Sequence, residues 1–115
     1  MRFSLIATLL LGAGLAAFAQ DTAPRMATAD PASGKKGDII AVTGINLDKG
    51  CVVKVYLTDG KHDTPVEVTE QAQTVLKFKI PGGLEVGTRF ALMVLTPGAN
   101  PKLIEQPVKV LIEGQ

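Results

Sequence analysis

The chain has 115 residues and a mass of 12.1 kDa, the length of one domain. It is 46% hydrophobic, only 4% aromatic and formally +1. That balance is too apolar for disorder and supplies no basic surface for nucleic acid.

The first segment reads as an address. Arg2 gives a positive start, Leu5 to Ala19 is an apolar and small-residue run, and Ala17-Phe18-Ala19 fits a small-x-small cleavage pattern before Gln20. Residues 1–19 are therefore expected to be a secretory signal peptide, too short for a transmembrane span. Export to the periplasm or the medium follows, with no membrane partner after cleavage. Removing 19 residues from 115 leaves 96, and Arg2 is the only charge lost. Eleven basic and eleven acidic residues then balance, which weakens nucleic acid or anionic lipid as a partner further.

Residues 20–25 read as a flexible leader and 26–115 as one β domain. Met26 to Asp30 is a candidate edge strand, followed by a turn-rich stretch holding Pro31, Ser33, Gly34 and Gly37. Ile39 to Thr43 is a strand, and Gly44 to Gly50 a loop plugged by Leu47. Val52 to Thr58 alternates, with Val53, Val55 and Leu57 expected inward and Lys54 and Tyr56 outward. Asp59-Gly60 is a turn signal. Pro65 to Glu70 and Thr74 to Ile80 alternate again, and Pro81-Gly82-Gly83 ends the second. Thr88 to Thr96 is apolar on both faces, as a central strand is. Leu103 to Glu105 and Val108 to Ile112 form a last strand interrupted by Pro107, which demands an edge position or a bulge.

Seven or eight short strands and no convincing helix predict an all-β, two-sheet antiparallel sandwich. A small barrel is the competing architecture. The expected core is Ile40, Val42, Leu47, Val53, Val55, Leu57, Val66, Val68, Leu76, Phe78, Ile80, Phe90, Leu92, Val94, Val108, Val110 and Ile112. Lysines at 54, 77, 79 and 109 are expected on solvent faces.

The stretch from Pro31 to Leu47, with its P-x-S-G turn, second glycine, alternating strand and Gly44-Ile45-Asn46-Leu47, resembles the opening of an IPT/TIG domain (immunoglobulin-like, plexin, transcription factor type). Val53 to Gly60, Phe78 to Pro81 and Phe90 to Val94 resemble later strands of that family, so the likeness runs from residue 27 to 112. The resemblance implies an immunoglobulin-like sandwich of about seven strands and a binding or spacing role, with no shared catalytic residues. The glycines and Asn46 have structural roles by their chemistry alone: Gly34, Gly37 and Gly44 permit positive φ or close backbone approach, and Asn46 can hold the loop after the strand.

The chemistry-bearing residues are few. His62 is the sole histidine and Cys51 the sole cysteine, so no intramolecular disulfide forms, and nothing pairs the two as nucleophile and base. Cys51 reads as a half-buried small hydrophobe, with an intermolecular disulfide as the alternative. Asp59, His62 and Asp63 lie close along the chain, but the spacing fits an ordinary polar hairpin better than a metal site. No cofactor motif is present. The absence of Trp and the single Tyr56 argue against carbohydrate and single-stranded nucleic acid, which need stacking platforms.

In an immunoglobulin-like sheet, the strand at 88–96 would lie between the strand at 52–58 and the last strand. Val52, Tyr56, Ala91, Met93, Leu95 and Leu111 would then share an outer face, apolar enough to mark a contact surface. The expected function is an exported, non-enzymatic module that binds another protein or itself. Loop ends at Asp59–Thr64 and Pro97–Lys102 are the alternative surface. A small metal or ligand carrier and an accessory subunit of an exported enzyme are the alternatives in function.

Overall fold

The computed structural model describes residues 23–114, so the expected signal peptide lies outside the described residues. Nine strands and no helix are found among them: β1 Arg25–Asp30, β2 Ser33–Gly34, β3 Ile39–Ile45, β4 Lys54–Thr58, β5 Asp63–Pro65, β6 Glu67–Gln71, β7 Val75–Lys79, β8 Arg89–Leu95 and β9 Leu103–Ile112. They form a four-stranded sheet in the order β1-β3-β7-β6 and a five-stranded sheet in the order β2-β9-β8-β4-β5. All neighbours are antiparallel except β2 and β9, which are parallel. The two strands not foreseen, β2 and β5, have only two and three residues.

The core is where the period-two patterns of the two sheets meet. Ile40, Val42, Leu76 and Phe78 of one sheet close on Val55, Leu57, Phe90, Leu92, Val94 and Val110 of the other. Within the four-stranded sheet, Ile40 sits opposite Phe78 and Val42 opposite Leu76, so the inward residues form rows across the strands. Leu47 plugs the loop after β3, as expected, and is fully buried.

Three expected core positions differ. Val53 is 50% exposed and Val52 takes its place in the core. The alternation expected over Val52 to Thr58 holds only from Lys54 onward. β4 begins only at Lys54, and the residues before it belong to a tight turn in which the amides of Cys51 and Val52 both donate to the carbonyl of Asp48. Val66 and Val68 are half-buried and pack against the core margin, because Val68 lies in the bulged edge strand β6 and Val66 in the link just before it. Met26 and Ala91 are buried in addition.

Pro107 lies inside one continuous strand, not at a break. The register between β8 and β9 shifts there: Ala91 faces Lys109, while Met93 faces Glu105. Leu92 thus opposes an expanded stretch holding Gln106, Pro107 and Val108. A bulge is where a residue without an amide hydrogen disturbs the ladder least. Gln106, just before it, is buried and turns its carboxamide toward β1. Its Oε1 accepts from the amide of Met26 at 2.7 Å and its Nε2 donates to the carbonyl of Pro24 at 3.4 Å. A side chain thereby supplies hydrogen bonds between strands of different sheets.

Two other amide side chains bond backbone carbonyls at the loop between β3 and β4 and next to it. Gln71 Nε2 donates to the carbonyls of Leu47 at 2.8 Å and Val52 at 2.9 Å. Asn46, the one non-glycine among the described residues with positive φ (57°), donates through Nδ2 to the carbonyl of Ala23 at 3.1 Å. It anchors a segment far away in sequence instead of its own loop. Gly44 is required by close approach: a Cβ there would run into the backbone carbonyl oxygen of Arg25 on β1.

Two stability outcomes follow. Gly44→Ala is expected to cost about 1–3 kcal/mol, because backbone must move to admit the methyl. Gln106→Ala is expected to cost about 1–3 kcal/mol by leaving the Met26 amide buried without an acceptor. Urea denaturation read by circular dichroism checks both, and an unchanged midpoint for either variant would remove the role assigned to that residue.

Candidate functional site

The outer face of the five-stranded sheet is set by the alternation that builds the core. With Val55 and Leu57 inward, Tyr56 points out; with Phe90, Leu92 and Val94 inward, Arg89, Ala91, Met93 and Leu95 point out. The registers arrange these in rows across the sheet. One row is Asp63, Thr58, Ala91 and Lys109, and the next is Pro65, Tyr56, Met93 and Glu105. A third is Lys54, Leu95 and Leu103, and a fourth, at the opposite end, is Arg89, Leu111 and Ser33.

Of the residues expected on this face, Tyr56, Met93, Leu95 and Leu111 are on it and half-buried. Ala91 is on it but almost covered, because its short side chain lies between Thr58 and Lys109. Val52 is not on it; the turn before β4 carries it into the core at 1% exposure. Leu103, which periodicity did not single out, joins the face at 52% exposure. It enters because β9 is one long strand whose first half extends the sheet beside Leu95.

The resulting surface has a Tyr56–Met93 pair at its centre, Leu95 and Leu103 at one end, and Lys54, Arg89, Glu105 and Lys109 around it. The outer face of the four-stranded sheet exposes Ile39 and Ile45 at the two ends of β3, at 42% and 49%, and differs in its polar pairs. There Glu67 faces Lys79 and Glu70 faces Lys77, the latter pair at 3.6 Å, while the hydroxyls of Thr28 and Thr43 bond to each other. Cross-strand ion pairs and hydroxyls of this kind suit a face in water.

The loop ends carry the remaining candidate groups. In the turn between β4 and β5, Asp59 Oδ1 accepts from the amides of Lys61 at 2.9 Å and His62 at 2.8 Å. These bonds, that of His62 foremost, hold the Asp59 carboxyl below the usual aspartate range, and the nearby imidazole adds to the effect. The His62 Nδ1 lies 3.9 Å from Asp59 Oδ2, with the imidazole 84% exposed. Asp63 does not complete a three-ligand group with them; among the described residues no such cluster of His, Cys, Asp and Glu forms. At the other end of β4, Cys51 packs half-buried against the core. Burial pushes its thiol pKa up, and the carboxylate of Asp48 adds to that, so it is a thiol at neutral pH. The five residues of β4 keep Cys51 and His62 at opposite ends of a strand about 16 Å long. Beside Cys51, a groove of about 480 Å³ is lined by Pro24, Gly50, Thr96, Pro97, Lys102 and Ile104.

No family model matches the chain, and no curated protein matches it. Among solved structures it is similar to a crystal structure from Bacteroides thetaiotaomicron VPI-5482 described as a "Putative phosphatase". The TM-score is 0.56 at 19% identity, over 81% of this chain. The chain spans 19% of the length of that protein. At that identity the likeness is one of fold.

The Asp59 turn gives a pH outcome. A carboxyl whose folded pKa is depressed adds stability that is present above the unfolded value, near 3.8, and is lost as pH falls through the lower folded value. Asp59 is expected to titrate below 3.8 in the folded protein, with the amide shifts of Lys61 and His62 following the same curve. Site-resolved NMR titration checks this, and a midpoint at the ordinary value would mean the two amide bonds are absent in solution.

Proposed function

We propose that the chain is an exported, non-enzymatic, immunoglobulin-like module that recognises a protein partner, foreign or a second copy, through the outer face of its five-stranded sheet. The observation that carries this is the contrast between the two outer faces. One carries cross-strand Glu–Lys pairs and hydroxyls, with Ile39 and Ile45 exposed singly at opposite ends of β3; the other has a contiguous apolar centre at Tyr56 and Met93 that continues through Leu95 to the exposed Leu103. An aromatic and a methionine amid aliphatic neighbours, rimmed by charge, has the composition of a recognition surface.

The immunoglobulin-like reading is supported by strand order. With β1, β3, β7 and β6 taken as A, B, E and D, and β4, β8 and β9 as C, F and G, the sheets follow the ABED and CFG arrangement of that sandwich. The resemblance of Pro31 to Leu47 to an IPT/TIG opening agrees with it. The non-enzymatic reading is supported by the distance between Cys51 and His62 and by the engagement of the Asp59 carboxylate with its own turn. Export rests on the sequence of residues 1–19.

A second reading, an accessory module of an exported enzyme, is favoured by one observation. The fold recurs within a much longer chain described as a "Putative phosphatase". Both readings use the same face.

Light scattering of the cleaved chain, with and without reductant, is the first test. A dimer that reductant does not split, and that Met93→Lys converts to monomer without loss of thermal stability, is the outcome expected for self-recognition. For a foreign partner, the wild-type chain is a monomer, and a partner retained from the exported fraction is released by Met93→Lys and by Tyr56→Ala. Retention unaffected by both substitutions would sink the face as the binding surface.

A further inference from the structure

We propose that Asp59–Gly60 is a latent isoaspartate site whose conversion is held back by the side-chain hydroxyl of Thr58. Aspartyl-glycine is the sequence most open to this reaction, because glycine puts no side chain in the way of its own amide nitrogen. The nitrogen of Gly60 attacks Cγ of Asp59 and forms an N–Cγ bond. The carboxylate first takes a proton from solvent, and its hydroxyl then leaves with the amide proton as water, closing a succinimide. Water then adds back to the ring. When the bond from the Gly60 nitrogen to the main-chain carbonyl carbon of Asp59 breaks, Cγ remains in the backbone and the free carboxyl is the former main-chain carbonyl. One water leaves and one returns, so the mass is unchanged.

Both reacting groups are engaged elsewhere in the turn. The amide of Gly60 donates to Thr58 Oγ1 at 3.1 Å, which occupies the nucleophile. The Asp59 carboxylate accepts from the two amides that follow, at 2.9 and 2.8 Å, which keeps it ionised and turned toward Lys61 and His62. An ionised carboxylate is the poorer electrophile, since its oxygen must leave as water. Thr58 itself is only 4% exposed, and its bond to the Gly60 amide is part-buried. The turn is closed by the amide of Asp59 donating to the carbonyl of His62, with Gly60 at φ 95°. The same residues border the candidate face: Thr58, Asp59 and Gly60 line a depression of about 160 Å³ with Arg89, Glu105 and Lys109. Conversion would add a methylene to the main chain between β4 and β5 and move a carboxylate within that charged rim.

The test compares the wild-type chain, Thr58→Val and Thr58→Ser, each held folded in warm neutral buffer, with an isolated peptide spanning residues 55–65. Isoaspartate at position 59 is read by peptide mapping with electron-transfer fragmentation, which separates the two isomers. Valine keeps the shape and β propensity of threonine but lacks the hydroxyl. Thr58→Val is expected to accumulate isoaspartate about two- to tenfold faster than wild type, the factor that one neutral hydrogen bond supplies. Thr58→Ser is expected to stay at the wild-type rate, and the peptide to convert fastest of all. A folded Thr58→Val that converts no faster than wild type overturns the proposal. If that variant does not fold, Thr58→Ala decides in its place: a folded Thr58→Ala that converts no faster than wild type overturns the proposal, and a faster one upholds it.

Discussion

With one cysteine and no tryptophan, the two sheets are held together by interdigitated aliphatic side chains and two phenylalanines, Phe78 and Phe90. There is no covalent bridge across the sandwich among the described residues, since Cys51 is free. Such a core works only if both sheets keep their period-two alternation in register, because a slip of one residue would turn every inward side chain out. The other features of the domain are ways of protecting that register. The Asp48 turn starts β4 on the right phase, and the bulge at Pro107 lets β9 run past β8 without turning Val108 and Val110 outward. Gly44 lets β1 approach β3 closely enough to cover the core beside Met26.

The edges show the same constraint in polar form. A sandwich has two open sides where the ladders end, and buried backbone groups there need partners. Here amide side chains serve such groups, buried at Gln106, part-buried at Gln71 and exposed at Asn46. Gln106 bridges from β9 to the segment entering β1, Gln71 holds both strands of the β3–β4 loop, and Asn46 reaches the carbonyl of Ala23. No buried side-chain nitrogen or oxygen among the described residues is left without a partner. These contacts tie together residues up to 82 positions apart, and they lock the loops that a flexible sandwich would otherwise open.

This explains what was legible in the sequence and what was not. Alternation is local, so the inward faces of β3, β4, β7 and β8 could be read from Ile40, Val55, Leu76 and Phe90 and their neighbours. Proline chemistry is local too, and Pro107 pointed correctly to a bulge or an edge. Phase at the start of a strand is not local. The pair Val52-Val53 reads equally well in either register, and only the hydrogen bonds to Asp48 decide it. The long-range amides were invisible for a similar reason: nothing near Gln106 or Gln71 in sequence shows that a distant backbone group needs an acceptor or a donor. On the candidate face, Tyr56, Met93, Leu95 and Leu111 followed from alternation. Leu103 was missed because the sequence around Pro107 suggested two short strands where there is one of ten residues.

The division of labour among polar groups bears on what the outer face of the five-stranded sheet can do. Three neutral amides, Gln71, Gln106 and Asn46, are committed to backbone groups of the fold, and the turn carboxylate of Asp59 to amides of its own turn. What remains around Tyr56 and Met93 is a rim of long, charged side chains, Lys54, Arg89, Glu105 and Lys109, of both signs. Such a rim orients a partner and sets the encounter rate, while the apolar centre sets how long the complex lasts. Three of these four are basic, so for the proposed partner the rim would favour approach of an acidic surface, with shape over the Tyr56–Met93 centre setting the fit. The aliphatic stems of the lysines and arginine can fold over Ala91 and Leu111 when no partner is present. For the proposed partner, displacement of those side chains would then be the first cost of binding.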